Sequence, residues 1–585
     1  MSTRPFTRLI AGVAAAGLLL GIPVAVTTAS AQSSACALGA TCEGNLAGTL
    51  GTSPYTIKMP ATFNGTVLIY SHGYRFATPI PERFAGPLGL LNNPNYDRIT
   101  LTGTDGATFT AAFGSATAYI GNNRAEIVPA PAATLGLAAA AASAADLEAS
   151  LLAKGYALAG VGYARQGWAT AEGLEANSNL IGLINSGGIA GVKKIAVWGS
   201  SLGSTVALAT AQANPRTVSG VMPLCGVQAG PIQAFDTAMT VLFTWKALVA
   251  PNLRVANYQS YAQALTDLAT VLTTLGTSTS ATVSQVGYPV FQANFLAGLL
   301  GGLPTKSATF DGQTVNPLFL PTLATGNTAL ALSYSPTSSG SSSLAAMLQN
   351  VGAAAALGIL GRFELEQRAR VAGNLPAGSN LAFNGNLNVD YTKLLSVEQR
   401  AQFADALNAN TAGQEDLLDR MFAQLALSKG NATFRYQQNP TVVGVVNALP
   451  GVTGKNPQPT VAISDLYDAV TPAGNLLAYT QTLAPKKRNS VAYYTVPPTS
   501  GYTQFTPAGA ISPTTAVYSG VGHCNFADNN GGQLKAVVDV LATYMNSGDV
   551  AGAAKANSVR RRTNGIESDR AFQPPALKDT AAASS

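Results

Sequence analysis

The sequence feature that most constrains the fold is a Gly-x-Ser-x-Gly pattern between an apolar run and an alanine-rich helical pattern. Residues 193–198 predict a buried strand, and residues from about 202 predict a helix. A serine between two glycines at such a junction occupies a strained strand-to-helix turn, where side chains at the glycine positions would collide with both elements. Of the two adjacent serines only Ser201 holds the central position, so Ser201 is the candidate nucleophile and Ser200 is the residue before it.

Strands and helices alternate on both sides of this junction. The predicted strands are 55–60, 66–71, 156–163, 193–198, 218–225, 459–463, 490–496 and 514–519, and the predicted core helices are 131–154, 169–185, 202 onward and 533–544. From about 227 to 455 the alternation stops and the pattern is largely helical. Helical connections of this length between strands predict an α/β fold, with a mostly parallel sheet flanked by helices. The helical block predicts a large cap domain inserted into that fold.

The same pattern predicts the domain boundaries. Residues 32–226 form the first part of the α/β core, with 32–54 as a lead-in of small residues. Residues 227–455 form the helical insertion, and 456–545 form the second part of the core. Residues 546–585, with mixed charge and a Pro-Pro pair, are expected to form a disordered tail.

The first 31 residues have the pattern of a cleaved secretory signal. Arg4 and Arg8 precede an apolar stretch at 9–26, and Ala29-Ser30-Ala31 is a small-x-small cleavage site. The alternative, a membrane anchor of 18 apolar residues, is disfavoured by Pro23 and by the cleavage site. We therefore expect a secreted protein, extracellular or periplasmic, that keeps no stable membrane anchor after the signal is removed.

Composition excludes several classes of function. Charged residues make up only 11% of the chain, and the formal charge of +6 falls to +4 without Arg4 and Arg8. So mild a charge predicts no nucleic-acid partner. The sequence has no Gly-rich phosphate loop, no Cys/His metal cluster and no cofactor motif, so we expect neither a cofactor nor a metal.

The four cysteines of an exported chain are expected to form disulfides, with three pairings possible. Cys36 and Cys42 lie six residues apart and would clip the mature N-terminus. That pairing leaves Cys225 with Cys524.

A serine hydroxyl needs a base, and the chain has two histidines, His72 and His523. His523 lies in a glycine-flanked loop between the last predicted strand and the last helix, at the sheet edge where Ser201 also points. The acid that would orient the imidazole is Asp468, after strand 459–463, with Asp465 as the alternative. Asp468 is favoured because Asp-x-Val-x-Pro fits a carboxylate at a loop apex, with proline opening the next helix.

Ser201, Asp468 and His523, in that chain order, resemble the α/β-hydrolase superfamily. The resemblance covers approximately 55–226 and 456–545. It implies that two backbone N–H groups hold the oxyanion, one from Leu202 and one from Gly73 or Tyr74. His72 would then shape that loop, and its place beside the loop argues against a role as base.

A second resemblance is partial. Tannases and feruloyl esterases join a cysteine beside the nucleophile to one directly after the catalytic histidine. This chain has the His523-Cys524 half but carries Ser200 where the other cysteine would be. Cys225, at the end of the next strand, would reach Cys524 across the same edge.

These patterns predict a secreted serine hydrolase that cleaves carboxylic esters, small or polymeric. The apolar insertion favours a hydrophobic acyl or aromatic ester. Arg165 and Trp168, in a loop at the same sheet edge, are candidate substrate-binding residues, or else a solvated arginine and a packed tryptophan.

Two alternative functions remain at this point. A peptidase or amidase of the same fold would need an acidic insertion residue to bind a free amine, and the candidates are Glu364, Glu366, Glu415 and Asp416. A binding or cell-wall-associated protein without activity is disfavoured because serine, acid and base are all present.

Overall fold

The computed structural model describes most of the chain, with gaps. The described residues are 35–78, 80–81, 98–99, 124–129, 137–277, 282–303, 308–310, 313–315, 351–352, 354–408, 416–468, 470–483, 489–495, 504–505, 511–512, 521–524, 526, 528–558, 566–567, 574 and 576–584. The predicted signal peptide (1–31) and the predicted strand at 514–519 lie outside them.

The core is a nine-stranded sheet with the spatial order β1-β2-β4-β3-β5-β6-β7-β8-β9. Its strands are β1 (Thr41–Gly48), β2 (Gly51–Lys58), β3 (Thr66–Ser71), β4 (Ala157–Val161), β5 (Lys194–Ser200), β6 (Val218–Leu224), β7 (Thr460–Asp465), β8 (Ser490–Thr495) and β9 (Ile566–Glu567). The six central strands pair in parallel, in the spatial order β4, β3, β5, β6, β7 and β8. The outer strands β1, β2 and β9 are antiparallel to their neighbours. The predicted mostly parallel sheet is confirmed.

Helices cover both faces of the sheet, as its apolar strands require. The core helices are α1 (Leu137–Ala153), α2 (Thr170–Leu183), α3 (Leu202–Ala213), α11 (Gly474–Thr482), α12 (Asp528–Ser547) and α13 (Val550–Ala556). Alternate strand residues point to opposite faces: Ile69 and Val197 belong to one hydrophobic cluster, with α2 and α3, and Leu68 and Trp198 to another, with α1 and α12. Every strand that leads to the candidate site is thereby fixed from two sides.

Between β6 and β7 the described elements are mainly helical. They are α4 (Pro231–Leu248), α5 (Tyr261–Thr277), α6 (Val290–Leu300), α7 (Arg362–Ala372), α8 (Val397–Asn408), α9 (Leu417–Leu427) and α10 (Pro440–Asn447). We call these seven helices and their connections the helical insertion. Among the described residues, no helix has both the length and the apolar character needed to cross a bilayer.

At both ends of the chain the structure contains elements that the sequence analysis did not predict. The lead-in at 32–54 contains β1 and the start of β2, which form a hairpin in which Gly48 pairs with Gly51. Its residues alternate between exposed and half-buried, so the hydrophobic pattern is weak and pairing with β2 defines the strand.

The tail at 546–585 is not disordered in its described parts. It contains α13 and β9, and β9 extends the sheet beside β8. Further on, the Thr580 hydroxyl donates to Asp236 (3.1 Å), the Asp390 N–H donates to the Ala583 carbonyl (2.9 Å), and Ala583 is buried. The C-terminal residues therefore pack on the helical insertion, a long-range contact that composition does not indicate.

Candidate active site

Ser201 lies at the turn between β5 and α3 with strained backbone angles, φ 55° and ψ −123°. Its N–H donates to the Leu224 carbonyl at the end of the neighbouring strand β6 (3.0 Å). A Cβ on Gly199 would lie 2.2 Å from the Gly203 carbonyl oxygen, and one on Gly203 would lie 2.0 Å from that of Ser71. Both glycines are thus required by close backbone packing, and the predicted strained turn is present.

Ser200, in contrast, is the last residue of β5 and is buried, 8% exposed. The two adjacent serines therefore have different surroundings.

Asp468 and His523 are brought together by a two-residue parallel ladder. Tyr467–Asp468 pairs with Val521–Gly522, directly before His523. His523 Nδ1 lies 2.8 Å from Asp468 Oδ2. The other carboxylate oxygen, Oδ1, accepts the N–H groups of Val470 and Thr471, each at 2.8 Å. These two hydrogen bonds fix the orientation of the carboxylate, which is buried. The alternative acid, Asp465, is the last residue of β7.

Thr471 is a site residue that the sequence analysis did not single out. Its Oγ1 lies 2.9 Å from Asp468 Oδ2, 2.8 Å from the Cys225 carbonyl oxygen and 3.4 Å from His523 Nδ1. Its single proton can be donated to the carboxylate or to the carbonyl. The available signal was a threonine three residues after the aspartate, a common spacing for local side-chain hydrogen bonds.

Both predicted disulfides are present, Cys36–Cys42 and Cys225–Cys524. Cys225 follows Leu224, whose carbonyl accepts the Ser201 N–H, and Cys524 follows His523. Both Cys225 (φ 40°) and Cys524 (φ 59°) have left-handed backbone angles, which are uncommon outside glycine. This disulfide therefore ties the residue after His523 to the strand end whose carbonyl accepts the Ser201 N–H.

Gly73 lies beside the candidate nucleophile. A Cβ placed on it would lie 3.3 Å from the Ser201 Cβ and 3.9 Å from the Ser201 Oγ. Leu202 is the first residue of α3, where the backbone N–H has no partner within the helix. The predicted oxyanion positions therefore flank Ser201, one on each side of the turn.

His72 is buried and separate from the His523–Asp468 pair. Its ring stacks on Tyr163 with centroids 3.8 Å apart, and its Nδ1 lies 2.8 Å from the Gly73 carbonyl oxygen. Burial, together with the nearby Arg75, lowers the pKa of His72 well below its usual value. These contacts fit the predicted role of shaping the loop.

Arg165 and Trp168 make contacts within the protein. Trp168 is buried, with its ring centroid 5.6 Å from that of Phe235 in the helical insertion. Arg165 Nε lies 3.8 Å from Glu172. Their contacts favour packing and ion pairing over the predicted substrate binding.

The acidic residues proposed for amine recognition are also engaged. Glu364 accepts hydrogen bonds from Tyr74 and Thr78, and Glu366 accepts the N–H groups of Asn257 and Tyr258. Burial raises the pKa of each glutamate to about 7. Asp416 pairs with Arg420 (3.0 Å), and Glu415 lies outside the described residues.

Two other features are distinct from this site. Among the described residues, His523, Cys225 and Cys524 are close enough to share a metal, but both sulfurs belong to the disulfide and are not thiolate ligands.

A surface depression of about 480 Å³, lined by residues including Lys193, Lys194 and Arg216, lies at the amino ends of β5 and β6. The depression and Ser201 thus lie at opposite ends of these strands.

Comparisons with known proteins gave matches of fold. No family model and no curated protein matches the chain. Among solved structures, Candida antarctica lipase A is 11% identical over 77% of this chain and 70% of that one, with a TM-score of 0.30. LipA, a rice cell wall degrading esterase from Xanthomonas oryzae, is 10% identical over 77% of this chain and 81% of that one, with a TM-score of 0.27.

A serine hydrolase without a lid from Xanthomonas campestris is 8% identical over 33% of this chain and 64% of that one, with a TM-score of 0.19. This chain thus spans less than two thirds of that protein. At these identities and TM-scores the likeness carries no information about substrate or catalytic residues. The strained serine turn between β5 and α3 resembles the Gly-x-Ser-x-Gly turn of α/β-hydrolases. The partial resemblance to tannases and feruloyl esterases stays a prediction.

Proposed function

We propose that this protein is a serine hydrolase that cleaves carboxylic esters, with Ser201 as nucleophile, His523 as base and Asp468 as the acid. One observation carries the proposal. The His523–Asp468 pair (2.8 Å) is tied through Cys524–Cys225 to the strand end whose Leu224 carbonyl accepts the Ser201 N–H. Nucleophile, base and acid thus converge on one sheet edge from positions far apart in the chain.

The reaction follows from these positions. The Ser201 hydroxyl oxygen attacks the ester carbonyl while His523 Nε2 takes the hydroxyl proton. Asp468 holds the other ring nitrogen protonated and stabilises the imidazolium. His523 then gives the proton to the leaving alcohol, and a water molecule, deprotonated by the same imidazole, releases the acid and restores Ser201.

The negative oxygen of the tetrahedral intermediate needs preorganised donors. The N–H of Leu202 and an N–H of Gly73 or Tyr74 flank the nucleophile, and each such donor contributes about 100- to 1000-fold in rate. We call residues 73–78, which follow β3, the oxyanion loop.

Apolar surroundings favour a hydrophobic acyl or aromatic ester. Leu202 belongs to a hydrophobic cluster with Trp168 and with residues of the helical insertion that include Phe235, Leu365 and Phe383. We propose that this insertion is the cap that walls the substrate cleft. Peptidase activity is disfavoured because Glu364, Glu366 and Asp416 already bind groups of the protein itself.

The test compares Ser201→Ala with Ser200→Ala on p-nitrophenyl esters of short to long acyl chains, beside aminoacyl p-nitroanilides. We expect Ser201→Ala to lower kcat by about 10⁶-fold and to abolish labelling by a fluorophosphonate probe. Ser200→Ala should keep both activity and labelling. Turnover or labelling retained in Ser201→Ala would refute the proposed nucleophile, and preference for the anilides would favour the peptidase.

A further inference from the structure

Glu364, in helix α7 of the helical insertion, is hydrogen-bonded to the oxyanion loop. Its carboxylate accepts the Thr78 N–H (2.7 Å), the Thr78 hydroxyl (2.5 Å) and the Tyr74 hydroxyl. Glu364 is only 5% exposed. A residue 286 positions later in the chain thus anchors two residues of the loop.

One turn later on the same helix, Arg368 binds a second core segment. Its Nη1 donates to the Trp168 carbonyl (2.9 Å), and its guanidinium binds both carboxylate oxygens of Glu172 (3.0 and 3.3 Å). A glutamate and an arginine four residues apart on a helix often pair with each other. Here both bind core segments, so this face of α7 is held against the core at two points.

The anchored loop begins beside the nucleophile. Gly73 contacts Ser201, and Tyr74, the next residue, carries the hydroxyl that Glu364 binds. The Tyr74 hydroxyl also lies close to Gly361 and Gly167, since a Cβ on those residues would be 3.1 and 3.8 Å from it. Because Tyr74 directly follows Gly73, the hydrogen bonds that hold Tyr74 also bear on the position of the backbone N–H groups at residues 73 and 74.

We propose that Glu364 is a positioning residue: by holding Tyr74 and Thr78, it fixes the oxyanion loop so that its backbone N–H groups meet the reacting oxygen. This inference rests on the proposed function. Donors stabilise the intermediate only at hydrogen-bond distance from the oxyanion, and a displacement of about 1 Å costs about 100-fold in rate.

The experiment measures kcat and KM for Glu364→Gln, Tyr74→Phe and the double variant with a p-nitrophenyl ester. Glutamine replaces one acceptor oxygen by an amide NH₂, so it cannot accept from both Tyr74 and Thr78. We expect each single variant to lower kcat about 10-fold with KM changed less than about twofold, as for a contact that matters only in the transition state. The double variant should also lose about 10-fold, because both changes break one interaction.

Glu366→Gln is the matched control. Glu366 lies on the same helix, is also buried and accepts two N–H groups, but those belong to Asn257 and Tyr258. It should keep kcat within about twofold. The inference is overturned if Glu364→Gln behaves like this control, or if the double variant loses about 100-fold. Tyr74→Phe, which removes one oxygen, decides the matter if Glu364→Gln does not fold. Failure of the Ser201→Ala test would refute the proposed function separately.

Discussion

Buried acids serve different purposes at the sheet edge and in the helical insertion. At the edge, Asp468 receives two backbone N–H groups and presents its remaining oxygen to His523. In the insertion, Glu364 and Glu366 bind loop backbone and hydroxyl groups, and burial raises the pKa of both to about 7. The edge therefore holds the proposed reacting groups, Glu364 holds a loop beside them, and Glu366 holds a segment of the insertion itself.

Among the substitutions that distinguish the two regions, Asp468→Asn is expected to have the largest effect, a loss of kcat. The amide cannot hold the His523 tautomer in which Nδ1 carries the proton, so Nε2 is no longer free to accept the serine proton. We expect kcat to fall about 10⁴-fold with the fold unchanged. Steady-state ester hydrolysis and circular dichroism measure the two quantities.

Asp465→Asn is the control for this prediction. Asp465 is also buried and lies three residues earlier, but it ends strand β7. A loss of kcat in Asp465→Asn that exceeds the loss in Asp468→Asn would make Asp465 the catalytic acid.

A smaller effect is expected from removing the disulfide at the edge. Cys225–Cys524 spans 299 residues and Cys36–Cys42 spans six. In the chain-entropy model the longer loop contributes about 6 kcal/mol to the free energy of unfolding and the shorter one about 2 kcal/mol. We expect Cys225→Ala/Cys524→Ala to lower both stability and kcat, because Cys524 directly follows His523, the proposed base.

The comparison is Cys36→Ala/Cys42→Ala, which should lower only stability. Denaturant unfolding and ester hydrolysis, measured on both double variants, test this difference. Equal kcat in the two variants would show that the edge disulfide has no part in placing His523.

The smallest effect is a pH dependence of stability from the insertion. Glu366 faces Arg362 and Arg254, yet burial dominates and raises its pKa to about 7 from 4.5. The folded state therefore favours the protonated acid. Protonated Glu366 therefore contributes to the free energy of unfolding. This contribution is full below about pH 4.5 and is lost as the pH rises through about 7, and the free energy of unfolding falls by at most about 3 kcal/mol over that range.

Glu366→Gln removes this titration. Denaturant unfolding between about pH 5 and about pH 8 should show a smaller decline in the free energy of unfolding for the variant than for the unmodified protein. Parallel curves would mean that Glu366 titrates alike in the folded and unfolded chain.

Local patterns predicted the core. Apolar runs of strand length predicted β3 to β8, and the glycines around Ser201 predicted its strained turn. Two histidines and the order of serine, acid and base favoured Asp468 and His523, which the structure places 2.8 Å apart, and four cysteines left few pairings. These features depend on residues near one another in the chain or on residue types that are rare.

The remaining features depend on contacts between distant residues. Nothing around Glu364 indicates that it binds Thr78, and nothing in residues 576–584 indicates that Ala583 is buried against the insertion. β1 was missed because its exposed and half-buried residues resemble a loop, and Trp168 could not be assigned to core or cleft until Phe235 was placed beside it.

The separation of 299 residues between Cys225 and Cys524 also sets an order of assembly during synthesis. The turn that carries Ser201 is made early, whereas Asp468 and His523 follow the helical insertion, so a growing chain holds the proposed nucleophile long before its activating base exists. Large chains fold in stages from the N-terminus. The proposed catalytic groups are therefore all present only after residue 523 has been synthesised, and the disulfide that joins the two parts of the core closes one residue later, at Cys524.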